Sequence, residues 1–467
     1  MKKFNIIILT LILMISHVSC EEFVEGYDES PNSPTQATPS VLLTAAEASV
    51  IFFYTGQPAR AASIFVQQSA GITDQAKNQY QLYGMTENSV ANEWNGLYTD
   101  CMETTQSLIE QYGEENPYYS GMAKVIQAMA LGMLTDYWGD VPYSEAMNGL
   151  DGEEALSPAA DNQEDVLNSI QQLCSEAVTE LSTSLEENAN VPGPDDVIAG
   201  GDTESWIIAA HLLKARYANR LSKKDPAGSA NTALGYLQNA YDAGLNGNDA
   251  NFLGVTGTSA TDLNQWRAFQ QQRGYMRAGA NLVDLMESQN DPRLPYYFQQ
   301  LSGADSYVGS GINEDNSNAS GFGDWVLATG QSFPLLTYFE AKFIEAEAAL
   351  RNNDPATAAT AYNEGVIASV EFFTGSSAPA QFINDYASET ESSIDMETIM
   401  TQKYIAMFTQ PEVWADYRRT GYPSLTPDPR GSINSIPERY PTALDERLYN
   451  ENMESITDLT QPVWWAE

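Results

Sequence analysis

Histidine and cysteine are nearly absent from this chain of 467 residues, which holds two His and three Cys against 63 Asp and Glu. Chemistry built on imidazole or thiolate therefore has few places to happen. After the first twenty residues the only imidazole is His211, in a run with Trp206, Ala210, Leu213 and Tyr217, and no Ser or Cys nucleophile motif stands near it. Cys174 belongs to the helical series Val166, Leu167, Ile170, Leu173, Ala177, Val178 and Leu181, and Cys101 follows Trp94, Leu97 and Tyr98 at helical spacing. Both read as small core residues with free thiols, although the pattern alone leaves a disulfide between them open. No C-x-x-C or H-E-x-x-H spacing occurs, so a zinc site is excluded on ligand supply. The neighbouring acids Glu114-Glu115 and Glu153-Glu154 could be read as a glycosidase's carboxylates, which stand about 5 to 10 Å apart across the scissile bond. In a chain this acidic, such pairs arise without any catalytic purpose.

The more promising chemistry is reversible contact. A ligand with apolar C–H faces and a rim of hydroxyls is held by an aromatic ring next to amide, carboxylate or guanidinium groups. Trp266 stands with Asn264, Gln265 and Arg267, Tyr275 with Arg273 and Arg277, and Trp325 beside Asp324. A second zone, 67–88, sets Tyr80 and Tyr83 among Asn78, Gln79 and Gln81. Tyr80, Tyr83, Asn264, Trp266, Arg267, Tyr275 and Trp325 are thus the candidate ligand-binding residues; the competing reading is that each ring packs its loop against the scaffold. Trp94, Trp138, Trp206, Trp414, Trp464 and Trp465 sit on apolar helix faces or in tight motifs and are expected to be structural.

These residues must be positioned by helices. Met122, Val125, Ile126, Met129, Met133, Leu134 and Tyr137 form one apolar helical face, with small residues such as Ala128 and Gly132 between them for a second helix to approach. Two stretches repeat a helix, an Asp-Pro joint and a second helix: 206–221, Asp225-Pro226 and 230–244, then 337–350, Asp354-Pro355 and 358–370. Helices at 122–137 and 164–181 make a further pair. The spacing is that of tetratricopeptide-type hairpins, which bury their faces only by stacking. The expected fold is mostly α, a helical-hairpin scaffold with long loop insertions, the largest at 245–333 with one helical patch at 278–286. That insertion is the expected ligand-facing region.

The amino terminus reads as an export signal: Lys2 and Lys3, an apolar run from Phe4 to Ile15, then a short polar stretch to Cys20. The run is too short for a spanning helix of about 20 residues. Residues 1–19 are the expected signal peptide, 20–40 a lipidated Cys20 and a Pro/Ser/Asn-rich tether, and 41–467 a single domain. The net charge of −41 excludes nucleic acid as a partner, because no basic patch exists to neutralise phosphates. No EF-hand loop is present, so no cofactor or metal is indicated; calcium held by scattered loop carboxylates stays compatible with the composition.

The segment 131–146, LGMLTDYWGDVPYSEA, resembles a signature of the SusD/RagB family of Bacteroidetes outer-membrane lipoproteins. Further blocks resemble the family in the same order: 205–221 (SWIIAAHLLKARYANRL), 291–294 (DPRL), 337–350 (TYFEAKFIEAEAAL), 414–423 (WADYRRTGYP), 436–441 (IPERYP) and 462–465 (PVWW). The resemblance implies a noncatalytic, cell-surface lipoprotein of the outer membrane, anchored through Cys20 and flanked by Glu21 and Glu22. It would capture oligosaccharide and pass it to a SusC-like TonB-dependent transporter. It also implies the tetratricopeptide-like scaffold, and that glycan contacts come from the zone around Tyr80 and Tyr83. A RagB-like peptide-binding role in a peptide uptake complex is the alternative within the family, and a glycoside hydrolase the alternative outside it.

Overall fold

A computed structural model describes residues 37–149, 152–259, 261–303 and 305–467. The signal segment, Cys20 and most of the tether lie outside them. Helix Pro39–Thr55 already begins at Pro39, so the expected tether is shorter at its end than residue 40.

The architecture is helical, and its stack follows the sequence pattern. Helix Pro117–Trp138 packs on Gln163–Leu181, and that on Thr203–Arg220. Thr203–Arg220 pairs with Pro226–Asp242, which packs on Tyr338–Arg351, itself paired with Pro355–Thr374. Both Asp-Pro joints work as their residue types dictate: Asp225 and Asp354 accept the backbone N–H of Gly228 and Thr357, while proline fills the first helical turn. Pro117–Trp138 is buried from Tyr119 onward because neighbours cover it on every side. At Gly132 a Cβ would lie 1.7 Å from the Tyr217 hydroxyl, so only glycine lets Thr203–Arg220 come this close.

Residues 245–333 leave the stack between two of its members and return. The helical patch runs over Ala280–Ser288 rather than 278–286. A second helix, Gln265–Gln272, was not expected; Asn264 starts it by accepting the N–H of Arg267 at 2.7 Å. Two small antiparallel sheets stitch the insertion down, Ser69–Gly71 on Met276–Ala278 and Phe252–Gly254 on Phe333–Leu336. The DPRL motif does the same from inside. Arg293 grips Asp291 at 2.5 and 2.9 Å and also donates to Ser369 and Gln402, at 2.9 Å each, on two scaffold helices.

The helices are joined by buried charge. Arg216 makes a two-pronged contact with Glu340, both bonds 2.7 Å, and Arg220 bridges Asp136 at 2.9 Å and Glu412 at 2.5 Å. Arg419 pairs with Glu347 through two nitrogens and with Asp416 at 2.9 Å, and Lys403 reaches Asp416 at 2.8 Å. At Glu347 and Asp416 burial raises the carboxylate pKa but the surrounding cations outweigh it, holding Glu347 below its ordinary range and Asp416 down at about 2, whereas at Asp136 burial prevails and lifts it to about 6. Cys101 and Cys174 are both free and buried, and burial pushes each thiol up to about 12.

Removing one partner should strand a buried charge. Glu347→Ala is expected to lower the unfolding free energy by about 3 to 5 kcal/mol in urea titrations, and a loss under about 1 kcal/mol contradicts the role given to the network. Because Glu347 and Asp416 have depressed pKa values when folded, their contribution is full above the ordinary carboxylate range. It should fade as pH falls through that range toward 2, visible as a declining melting temperature.

Candidate ligand-binding cleft

Helix Gln57–Phe65 ends in a turn that places Gln67 at a φ of +61°, and the chain then enters strand Ser69–Gly71. The Gln67 side chain is a clasp: its Nε2 donates to the Thr426 carbonyl at 2.6 Å, and its Oε1 accepts from the Asn281 amide. Gln81 is another. Its Oε1 accepts from the Gly71 N–H at 3.2 Å, and its Nε2 donates to the Ile312 carbonyl at 3.1 Å and to Asp428 at 3.3 Å. Four separate stretches of chain meet here, two of them from the insertion.

Close backbone approach makes the meeting tight. A Cβ on Gly279 would stand 2.3 Å from the Gln67 carbonyl oxygen, and one on Gly309 only 2.2 Å from the Ala280 Cα. Between these walls opens a cleft of about 300 Å³. Its lining is polar: besides the two glutamine clasps it includes Asn281, Asn313, Ser424 and Thr426, all four of them exposed. A charged clamp secures one rim. Asp315 is held by Lys77 at 2.6 Å and Arg430 at 2.8 Å, and Arg430 reaches Asp428 at 2.7 Å. Burial raises both carboxylates, yet hydrogen bonds from Arg430, joined by Lys77 at Asp315 and Gln81 at Asp428, hold them below the ordinary range. With its cations already paired, the cleft presents uncharged amide and hydroxyl groups that can both accept and donate hydrogen bonds.

The rings expected to stack on a ligand are placed otherwise. Tyr80 is buried edge-on to Phe65, 6.0 Å between centroids. Tyr83 is buried beneath Gly431, its hydroxyl accepting the Asp428 N–H at 3.0 Å. Trp266 is 0% exposed, with Phe322 and Phe408 at 5.3 and 5.7 Å, and Trp325 packs on Phe333 and Phe373 at 5.2 and 4.7 Å. None of these four rings offers a face to a ligand in this conformation, because each is the apolar anchor that holds its loop on the scaffold. Tyr275 alone keeps some exposure, edge-on to Phe269. Asn264 caps its helix and donates to the Ala328 carbonyl at 2.9 Å, while the Arg267 guanidinium donates to the Leu327 carbonyl.

The two zones singled out from sequence do converge, but through neighbours of the chosen rings. Gln67 and Gln81 come from the first zone, and Asn281 and Asn313 from the insertion. Ser424 and Thr426 follow the WADYRRTGYP block, and no periodicity or composition signal marked them. His211 is half-buried, with its pKa lowered to about 4 by burial, and faces no nucleophile. Glu114 and Glu115 lie exposed on a turn. Among the described residues no cluster of three or more His, Cys, Asp or Glu is placed to hold a metal ion.

The stacked helical-hairpin scaffold is shared with solved SusD-like structures. This chain belongs to the SusD-like family described as starch-binding and associating with the outer membrane, which matches residues 31–441. Its fold is similar to that of a chitin-binding protein, at 24% identity and a TM-score of 0.76, covering 92% of this chain and 100% of the other. A chitin-binding SusD homolog from Flavobacterium johnsoniae superposes with a TM-score of 0.78 at 22% identity, over 91% and 98% of the two chains. A SusD/RagB family protein from Bacteroides thetaiotaomicron gives 0.76 at 21%, over 92% and 99%. No curated protein matches the sequence.

The rim clamp is testable apart from any ligand. Asp315→Asn should loosen the loop around Ile312 and Asn313, speeding amide hydrogen exchange there by about two- to fivefold, the scale of a partly exposed ion pair. Unchanged exchange would mean that the Gln81 clasp alone fixes the loop.

Proposed function

We propose that this protein is a noncatalytic glycan-binding lipoprotein, anchored to the outer membrane through Cys20 and exposed at the cell surface. It captures oligosaccharide in the cleft between Gln67, Asn281, Asn313 and Thr426 and delivers it to a SusC-like TonB-dependent transporter. Family membership supports the glycan and the membrane. The observation that carries the reading is the cleft itself, where exposed amides and hydroxyls of Asn281, Asn313, Ser424 and Thr426 border a space of about 300 Å³ beside a charged clamp. Such groups hold sugar hydroxyls in fixed directions and perform no reaction, so binding is reversible. The negative field of the protein disfavours sulfated or uronic polymers as ligands.

A glycan array followed by calorimetry on the mature protein tests this. Asn281→Ala and Asn313→Ala should each weaken the oligosaccharide found by about fivefold, near 1 kcal/mol per hydrogen bond, and Asn313→Ala, which breaks no clasp, should leave the urea midpoint unchanged. Affinity that ignores both substitutions removes the cleft from the site. Binding to peptides only would replace the glycan by a peptide cargo, and release of new reducing ends would make the protein a hydrolase. Cys20→Ser should move the protein out of the membrane fraction; retention there would refute the lipid anchor.

A further inference from the structure

A second cleft shares no lining residue with the first. It lies where helix Pro39–Thr55 turns at Gly56 into Gln57–Phe65. Along that helix Val50, Ile51, Phe53 and Tyr54 are buried, but Phe52 is 49% exposed, an unusual state for a large ring on an otherwise packed helix end. The ring is also held in place. Phe53 meets it edge-on at 5.1 Å, and Phe53 in turn is seated over Gly96, where a Cβ would stand 2.1 Å from its Cζ.

Around Phe52 opens a cleft of about 470 Å³ lined also by Phe53 and by polar groups: Gln57, Asn92 and Asn95 bring amides, and Thr99 and Asp100 a hydroxyl and a carboxylate. Asn92 is exposed, on the same short helix as Glu93. Glu93 also lines the cleft, only 6% exposed, and its Oε2 has no hydrogen-bond partner. A buried carboxyl oxygen left unpartnered is an acceptor waiting for a donor. Burial, only partly offset by Arg60, raises this carboxyl to about 7. Arg60 also lines the cleft, donating to the Gln265 carbonyl at 3.1 Å and lying over the Phe269 ring at 4.4 Å.

We infer that this cleft is a second saccharide-binding site, in which the exposed face of Phe52 stacks on a sugar ring while Glu93 and Asn92 take its hydroxyls. An exposed ring rimmed by amides and an unsatisfied carboxyl oxygen is the combination that sugars require, and the first cleft has no such ring. With Glu93 and Asp100 in its walls and Arg60 turned onto Gln265 and Phe269, the cleft favours uncharged sugars over uronic acids. The site rests on the reading that the protein binds saccharides, but not on the first cleft. A chain with two sites would hold a polymer at both and gain effective concentration between them.

The test titrates mature protein, ring-labelled with 13C at phenylalanine, with maltohexaose, cellohexaose, N-acetylchitohexaose and, as the anionic comparison, a hexagalacturonate. The Phe52 resonance is assigned by its loss in Phe52→Ala, whose urea midpoint should match the parent because the ring is exposed. At least one neutral hexasaccharide should shift that resonance and the galacturonate should not. The shift should persist in Asn281→Ala with Asn313→Ala, and Glu93→Gln should weaken the sugar at this site about tenfold. A hexasaccharide whose affinity responds to Asn281 and Asn313 but not to Phe52 would leave the first cleft standing and overturn the second. Failure of every hexasaccharide to bind would overturn both.

Discussion

The buried chain of ion pairs from Asp136 through Arg220, Glu412, Arg216 and Glu340, with its neighbour from Glu347 through Arg419 and Asp416 to Lys403, is what the rest of the structure hangs on. Each member sits on a different helix from at least one partner, so the network fixes how Pro117–Trp138, Thr203–Arg220, Tyr338–Arg351 and Glu412–Thr420 meet. Hydrophobic faces alone permit sliding, since apolar contact has no preferred direction. Paired charges in a low-dielectric interior do not permit it, because a shift by one turn would strand them.

The same network explains the outside of the molecule. The chain has 22 Lys and Arg against 63 Asp and Glu, and several of the cations, Arg216, Arg220, Arg293, Arg418, Arg419 and Lys403, are inside. Their carboxylate partners, such as Asp136, Glu340, Glu347, Glu412 and Asp416, are buried with them, so the net negative charge of the chain is left to the surface. Aromatic rings complete the joint. Trp414, Tyr137 and Tyr440 pack within 5.8 Å of one another, and Arg418 lies over Trp414 at 3.8 Å and over Trp465 at 4.7 Å. Segments far apart in sequence close on this point, carrying the carboxyl-terminal residues back to the scaffold. Inserted loops can then be held by a few clasps, Arg293 inside and Gln67, Gln81 and Arg430 at the cleft, while leaving amides and hydroxyls free.

The blocks that carried the family resemblance turn out to be the blocks that hold this joint. LTDYWGD supplies Asp136, Tyr137 and Trp138, ARYANRL supplies Arg216 and Arg220, and WADYRRTGYP supplies Trp414, Asp416, Arg418 and Arg419. Their spacing was legible because a helix must repeat its buried positions every three to four residues, and the Asp-Pro joints because capping is local chemistry. Trp138 and Trp414 were correctly read as structural for the same reason. The ligand rings were not legible: Trp266 beside Asn264 and Arg267 has the composition of a sugar site, yet Asn264 is a helix cap and Trp266 a core residue. Composition over four residues does not distinguish a ring aimed at solvent from one aimed at Phe408.

The sequence by itself determined the acidity, the helices of the stack, their hairpin pairing and the family, the last three through local periodicity, local capping and ordered motifs. Tertiary structure alone decided which polar groups face a shared space. Gln67 and Thr426, at the two ends of the set that includes Asn281 and Asn313, lie 359 residues apart, and the exposure of Phe52 between buried neighbours depends on what happens to cover the helix there. A binding site is made from side chains the fold leaves uncovered, and what covers a side chain is a long-range fact that no local pattern encodes.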